Sequence, residues 1–340
     1  MKPLEEWVHL LFDKKRPPSS IIFRVDGGCV PGVSFGHLSR CRLIADAVAN
    51  KYNAKTYFLI RDFPEGLAYL KKSGHGIQRI PVDSSAQVES EIINRVIHEF
   101  RAHTLIVDLP YSNTDVLYYE RLSSQGLHTI FIDDSRFISP KVDILLNSSV
   151  LAPKMLKNAV AADSKRTLFL LGTDFFIFNP PLKYKPMPQD HRGINILLTF
   201  GGSDLTSITK KVVEVILNKD FESCFFKVIL GPGNNNIQTV KDKIGFRSKN
   251  IQLIINPDDL VAFLQECDIG ICAGGRTMYE FLYLKKKFLP IASTPEEAQG
   301  IQEFINQGLI KRGLTIWDPG LFHRSLTELM NESLKAGDRK

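Results

Sequence analysis

Short apolar runs alternate along this chain with longer stretches in which apolar residues recur every three or four positions. Residues 21–25, 56–60, 104–108, 128–132 and 142–146 are runs rich in β-branched and aromatic side chains, the pattern of buried strands. Between them, Leu38, Cys41, Ile44 and Val48 repeat at helical spacing, as do Leu67 and Leu70 and then Val88, Ile92, Ile93, Val96, Ile97 and Phe100. The spacing predicts helices from about His37, over 64–72, over 85–103 and over 113–125. The second half repeats the theme. Strands are expected over 194–200, 225–230, 251–255, 268–272 and 288–291. Helices are expected from Ile208, over 258–265, over 278–284 and over 299–307, with Gly308 closing the last of these. A final helix over 319–334 has Leu321, Leu326 and Leu329 as its apolar members and Asp318 as its cap.

Strands alternating with helices at this spacing imply parallel sheets covered on both faces. Residues 179–192 interrupt the pattern with four prolines and read as a semi-rigid linker. The expected organisation is an extension over 1–20, a first domain over 21–178, a linker over 179–193, a second domain over 194–316, and a C-terminal helix over 317–340 that can cross back to the first domain. The fold class is α/β, two Rossmann-like domains with a cleft between them.

Composition narrows this only a little. A length of 340 residues with 44% apolar and 24% charged residues suits two ordinary cores and excludes a disordered chain. The net charge of +6 is dispersed, without the clustered basic face and interleaved aromatics that nucleic acid requires. The five cysteines form no CxxC pair and suit a reducing, cytoplasmic compartment. No run approaches the ~20 apolar residues that span a bilayer. Leu4, Val8 and Leu11 can form an amphipathic turn or two, for which packing on the domain is expected rather than membrane contact.

The candidate chemistry lies at the carboxyl ends of the strands, where parallel sheets bind their ligands. After 21–25 come Asp26, a loop with Gly27, Gly28, Gly32 and Gly36, and then His37 at a helix start. A free helix start faces an anion with its N–H groups, and a histidine there can move a proton near neutral pH. His37 is the candidate base, or the acid to a leaving phosphate. Asp26 can orient it or bind a sugar hydroxyl. Asp108, Asp133, Asp134 and Asn147 end neighbouring strands on the same rim and read as sugar-binding or turn residues. The adjacent Asp133 and Asp134 lack a third ligand, so no metal is expected. In the second half, Gly201-Gly202-Ser203-Asp204 and Ala273-Gly274-Gly275-Arg276-Thr277 each precede a helix. Their hydroxyls can cap the helix and contact phosphate together. There is no GxSxG elbow, and no cysteine stands beside a histidine except Cys29, so covalent catalysis is not favoured.

Taken together, Phe23-Arg24-Val25-Asp26, Gly36-His37-Leu38-Ser39-Arg40-Cys41, Ile132-Asp133-Asp134, Phe200-Gly201-Gly202-Ser203-Asp204 and Ala273-Gly274-Gly275-x-Thr277-x-x-Glu280 resemble the nucleotide-sugar hydrolases of pseudaminic acid biosynthesis. They also resemble the related spore-coat polysaccharide proteins. These families are similar to the lipid II N-acetylglucosaminyltransferase and have glycosyltransferase-B architecture. The resemblance runs in order from about Ile21 to Gly308. It implies removal of UDP from a UDP-linked amino/deoxy sugar, with the sugar and the reacting water on the N-terminal half and UDP on the C-terminal half. His37 matches the catalytic histidine and Glu280 the acidic residue that takes the ribose hydroxyls. Gly36, Arg40 and Gln299 join the substrate-binding set, and Gly201–Ser203 and Gly274–Thr277 would cradle the diphosphate. The chain departs from the pattern at Arg276, where a small residue is usual, at Ala298-Gln299, where Asn-Gln is usual, and at Asn179, where a basic residue is expected. The expected function is hydrolysis of a UDP-sugar with no cofactor and no obligate protein partner. The alternatives are a glycosyltransferase of the same fold and a nucleotide-sugar-binding protein without catalysis.

Overall fold

Each apolar run becomes a strand of one of two wholly parallel sheets. The computed structural model describes residues 1–12, 17–28, 33, 35–109, 118, 122, 126–133, 137–162, 167–178, 193–202, 204, 206–218, 221, 223–231, 233–234, 236–245, 250–257 and 260–337. The chain divides into two units, Met1–Pro180 and Pro181–Lys340, and the division falls within the proline-rich stretch.

The first unit holds β1 (Ser20–Val25), β2 (Lys55–Arg61), β3 (Gly76–Ile80), β4 (Thr104–Asp108), β5 (His128–Ile132), β6 (Ile144–Asn147) and β7 (Leu168–Leu171). Their order across the sheet is β3-β2-β1-β4-β5-β6-β7. Val25 pairs with Asp108, so the ends of β1 and β4 lie level with each other. Alternate residues of each strand enter opposite cores, as strand geometry requires. Phe23 and Val25 pack with Leu38, Cys41, Ile44 and Val48 of the Phe35–Tyr52 helix. Ile22 packs with Ile93 and Val96 of the Ala86–Phe100 helix. The expected helix over 113–125 falls outside the described residues except for Tyr118 and Leu122.

The opening residues are part of the first core. Leu4, Trp7, Val8, Leu11 and Phe12 are buried in it. His128 Nε2 donates to the Leu11 carbonyl at 2.9 Å, and the Trp7 ring meets Phe175 edge-on. Among the described residues, no helix is long and apolar enough to cross a membrane. The sequence pattern gave no sign of β7, nor of the short helices Ala152–Met155 and Lys157–Ala162 that precede it.

The second unit holds β8 (Ile194–Thr199), β9 (Cys224–Leu230), β10 (Ile251–Ile255), β11 (Ile269–Ala273) and β12 (Lys287–Ile291), ordered β10-β9-β8-β11-β12. The helix expected over 299–307 runs over Pro295–Asn306. Thr294 Oγ1 accepts the Glu297 N–H, and Pro295 fits the first helical position, so the helix starts four residues early. The Pro319–Gly337 helix is capped by Asp318, whose Oδ1 accepts the Leu321 N–H at 2.5 Å. Its apolar stripe, Phe322, Leu326 and Leu329, is buried in the core of this second unit, and that core is where the helix packs.

Candidate functional site

In both sheets the strand order reverses after the first strand, between β1 and β4 and again between β8 and β11. Beyond the carboxyl ends of such a pair, two loops part and leave room for a ligand. Most of the expected site residues belong to these loops, their strand ends and the helices that follow them; Asp133 follows β5, Asn147 ends β6 and Gln299 lies on the helix after β12.

In the first unit, the Phe35–Tyr52 helix starts hard against the β1 loop. A Cβ on Gly27 would stand 2.8 Å from Leu38 Cβ, so only glycine allows this approach. His37 lies in the first turn and Arg40 one turn later on the same face, as i and i+3 positions do. Both reach Asp108 at the end of β4. His37 Nδ1 is 2.7 Å from Asp108 Oδ1 and Arg40 Nη2 is 2.6 Å from the same oxygen, while Arg40 Nε bonds Oδ2. Cys41 directs its thiol at Oδ2 from 3.6 Å. Asp108 has no solvent exposure. Burial alone pushes its pKa up, but the Arg40 charge, then His37 and the hydrogen bonds from both, hold it well below the usual carboxylate range.

This geometry fixes the histidine tautomer. A nitrogen lone pair 2.7 Å from an anionic oxygen is repulsive unless a proton lies between them, so Nδ1 carries the proton and donates it to Asp108. Arg40 Nη2, 2.9 Å from Nδ1, gives its own proton to the anion, the better acceptor. In the neutral ring the lone pair would then be on Nε2; the side chain is 18% exposed. A ring so held can take a proton from a molecule that reaches Nε2.

Asp26 does not orient His37; Asp108 does. Asp26 is fully buried, with Oδ1 accepting the Arg61 N–H at 2.7 Å and Oδ2 lying 2.8 Å from Arg24 Nη1. It belongs to a buried charge cluster that the sequence pattern hid, because Arg24 sits inside an apolar strand. Glu89 in that cluster accepts from Arg24 Nε at 2.6 Å, Tyr118 Oη at 2.6 Å and Arg61 Nη2 at 3.1 Å. Gly36 is exposed at the helix start. Asp133 and Asn147 are buried together, Asn147 Nδ2 donating to Asp133 Oδ2 at 3.4 Å. Asp134 and Cys29 lie outside the described residues.

In the second unit, Gly201 and Gly202 are exposed, with open space where a Cβ would stand. Ser203 lies outside the described residues. The helix that follows, Ile208–Leu217, is not a free anion site. The Asp204 carboxylate already accepts the N–H of Ile208 at 2.9 Å and of Thr209 at 3.0 Å. Among the described residues of this loop, the exposed Gly201-Gly202 turn is what remains open to a ligand.

The other loop differs. Gly275 is the N-cap of the Arg276–Tyr283 helix and, as a glycine, brings no capping side chain of its own. Thr277 is half-buried in the first turn. Glu280 is buried one turn on, 3.7 Å from Arg276 Nε; burial raises its pKa and Arg276 only partly offsets this. Sequence reasoning missed Glu297. Its Oε2 accepts the Ser293 N–H at 2.7 Å, and a Cβ on Gly275 would lie 3.7 Å from its Oε1. The Thr294-x-x-Glu297 capping pattern was the available signal. Gln299 is exposed two residues further along the same helix.

No family model matches the chain. An uncharacterized protein of Methanocaldococcus jannaschii, MJ1062, is 27% identical over 162 residues, 46% of this chain and 33% of that protein. The chain thus spans about a third of this curated relative. Among solved structures, MurG of Acinetobacter baumannii is similar with a TM-score of 0.63 and 11% identity, covering 93% of both chains. UDP-GlcNAc 2-epimerase of Neisseria meningitidis, bound to UDP-GlcNAc, gives 0.60 at 14% identity over 92% of this chain and 91% of that one. LpCGTa in complex with UDP gives 0.58 at 11% identity over 91% and 90%. Identities this low speak for fold alone, and the fold is of the glycosyltransferase-B type, two α/β units each built on a parallel sheet.

Proposed function

We propose that this protein hydrolyses a UDP-linked amino/deoxy sugar to UDP and the free sugar, in nonulosonic (pseudaminic-type) acid or surface-polysaccharide biosynthesis. The observation that supports the reading is the Nδ1–Asp108 bond at 2.7 Å, which orients a partly exposed His37 ring and directs Nε2 away from that carboxylate. In the proposed reaction a water attacks the anomeric carbon while His37 Nε2 takes its proton. The bond from that carbon to the diphosphate oxygen breaks, and its electron pair leaves with UDP. The ring then returns its proton to solvent or to the departing phosphate. The start of the Arg276–Tyr283 helix, together with the Gly201-Gly202 turn, is a backbone arrangement of the kind that stabilises a leaving diphosphate. Glu280 is assigned to the ribose hydroxyls.

The fold itself favours a second reading. Glycosyltransferases share it, and in them an acceptor hydroxyl would replace water at the same nitrogen. Purified protein incubated with a panel of UDP-sugars and no acceptor separates the two, with UDP release read by phosphorus NMR. Hydrolysis predicts release from at least one amino/deoxy sugar. Release that begins only when an acceptor is added identifies a transferase, and UDP binding without turnover identifies a binding protein.

A further inference from the structure

Asp108 Oδ1 serves two donors, His37 Nδ1 at 2.7 Å and Arg40 Nη2 at 2.6 Å, and Nη2 is itself 2.9 Å from Nδ1. A lone carboxylate beside an imidazole favours a second ring proton, because the imidazolium is attracted to the anion. A carboxylate already matched by a side-on guanidinium has the opposite effect. It still accepts the Nδ1 proton and fixes the ring, but the Arg40 charge, close to the same ring, opposes a second proton on it.

We propose that Arg40 is a positioning residue that lets Asp108 orient His37 while keeping His37 Nε2 unprotonated, and that it does not bind the sugar. This rests on the reading of His37 as the base. Arg40 is almost fully buried and gives both Nε and Nη2 to Asp108, which is poor geometry for a ligand contact. Among the described residues, the other titratable groups at the neighbouring strand ends and on the same helix have contacts of their own. Asp26, on the β1 loop, meets Arg24 and the Arg61 N–H. Asp133, after β5, accepts from Asn147. Cys41, on the same helix, turns its thiol to Asp108.

The test is nitrogen-15 NMR of the His37 ring in the full-length protein at pH 7, alongside kinetics on any UDP-sugar it turns over. The wild type is expected to show a protonated Nδ1 and an unprotonated Nε2. Arg40→Met is expected to show both nitrogens protonated, with kcat lowered at least about tenfold at pH 7, recovering as pH rises, and KM changed by less than about threefold. Arg40→Lys keeps the charge without the fork, so it is expected to restore the wild-type ring signature. It also serves if Arg40→Met fails to fold. The proposal is overturned if Arg40→Lys shows a doubly protonated ring, or if Arg40→Met keeps the wild-type ring signature and raises KM tenfold. The ring spectra do not depend on turnover, so an absence of hydrolysis counts against the function and leaves this inference to be judged by NMR.

Discussion

His37 and Asp108 lie 71 residues apart in sequence and meet at 2.7 Å because their elements flank the point where the first sheet changes direction. The contact gives each residue a separate duty. The carboxylate holds one ring nitrogen and the histidine side chain stays partly exposed, so the two substitutions have different consequences.

His37→Ala removes the base and leaves the Asp108–Arg40 pair intact. UDP release is expected to fall at least ~10²-fold, with UDP affinity within about twofold of wild type. Steady-state kinetics with UDP calorimetry checks this, and an unchanged rate would remove the histidine from the mechanism. Asp108→Asn keeps the shape but leaves Arg40 buried without its counter-ion. It should lose both rate and stability, the latter by roughly 3–5 kcal/mol.

The charge cluster beneath the β1 loop predicts an acid limb in stability. Burial alone would raise the Glu89 pKa, but Arg24, with help from Tyr118 and Arg61, holds it down at about 2. A carboxyl lowered in the folded state stabilises fully above its ordinary range, near 4.5, and loses that contribution as pH falls toward 2. Glu89→Gln should therefore be less stable than wild type at pH 7 by on the order of 3 kcal/mol. The gap should narrow between pH 4.5 and 2. Urea titrations across that range measure it, and a gap independent of pH would show that Glu89 acts through packing instead.

How much of this was visible in the sequence depended on the kind of signal. Helices and strands with strong periodicity, such as those carrying Ile22, Phe23, Leu38 and Val48, were legible because apolar spacing and burial are the same fact. His37 and the glycine loops were legible because strand-loop-helix order places them on a ligand rim. The partner of His37 was not. Asp26 and Asp108 both end strands, and only the register Val25–Asp108 and the Arg24–Asp26 contact decide between them. Long-range pairing leaves no local mark. Leu168–Leu171 escaped notice for a related reason: a four-residue edge strand is too short to establish a period.

Asp204 caps a helix from four residues upstream, in a left-handed backbone conformation with φ of 43°. Asp204→Ala loses both N–H acceptors and places an alanine where it is strained. The expected loss is about 1–2 kcal/mol, seen as a lowered thermal midpoint. Asn tolerates this conformation and keeps one acceptor, so Asp204→Asn should recover about half of that loss. If Ala and Asn behave alike, the carboxylate is not what holds the helix start.

Gly274 and Gly275 precede the same open helix but differ in the space around them. A Cβ on Gly274 would come within 2.7 Å of Glu297 Cβ and 3.1 Å of its carbonyl oxygen, whereas one on Gly275 meets only Glu297 Oε1 at 3.7 Å. Gly274→Ala is expected to cost roughly 1–3 kcal/mol and weaken UDP binding, because backbone must move. Gly275→Ala should fold as wild type. Equal effects on the thermal midpoint would contradict the packing described.

Glu297 places a negative charge beside the helix start that is proposed to hold the diphosphate. The charge has a structural partner, since Oε2 accepts the Ser293 N–H, but an amide oxygen can accept that proton equally well. Glu297→Gln therefore keeps the local fold and removes only the repulsion between carboxylate and phosphate. Two charges several ångström apart near a protein surface repel by roughly 1–2 kcal/mol, less in salt. UDP should accordingly bind the variant about five- to thirtyfold more tightly at low ionic strength, and the advantage should shrink toward twofold at high salt. Calorimetric titration at two salt concentrations reads both. Weaker binding by the variant would mean that Glu297 contacts the nucleotide directly, and equal affinity at low salt would mean that the diphosphate does not sit at this helix start.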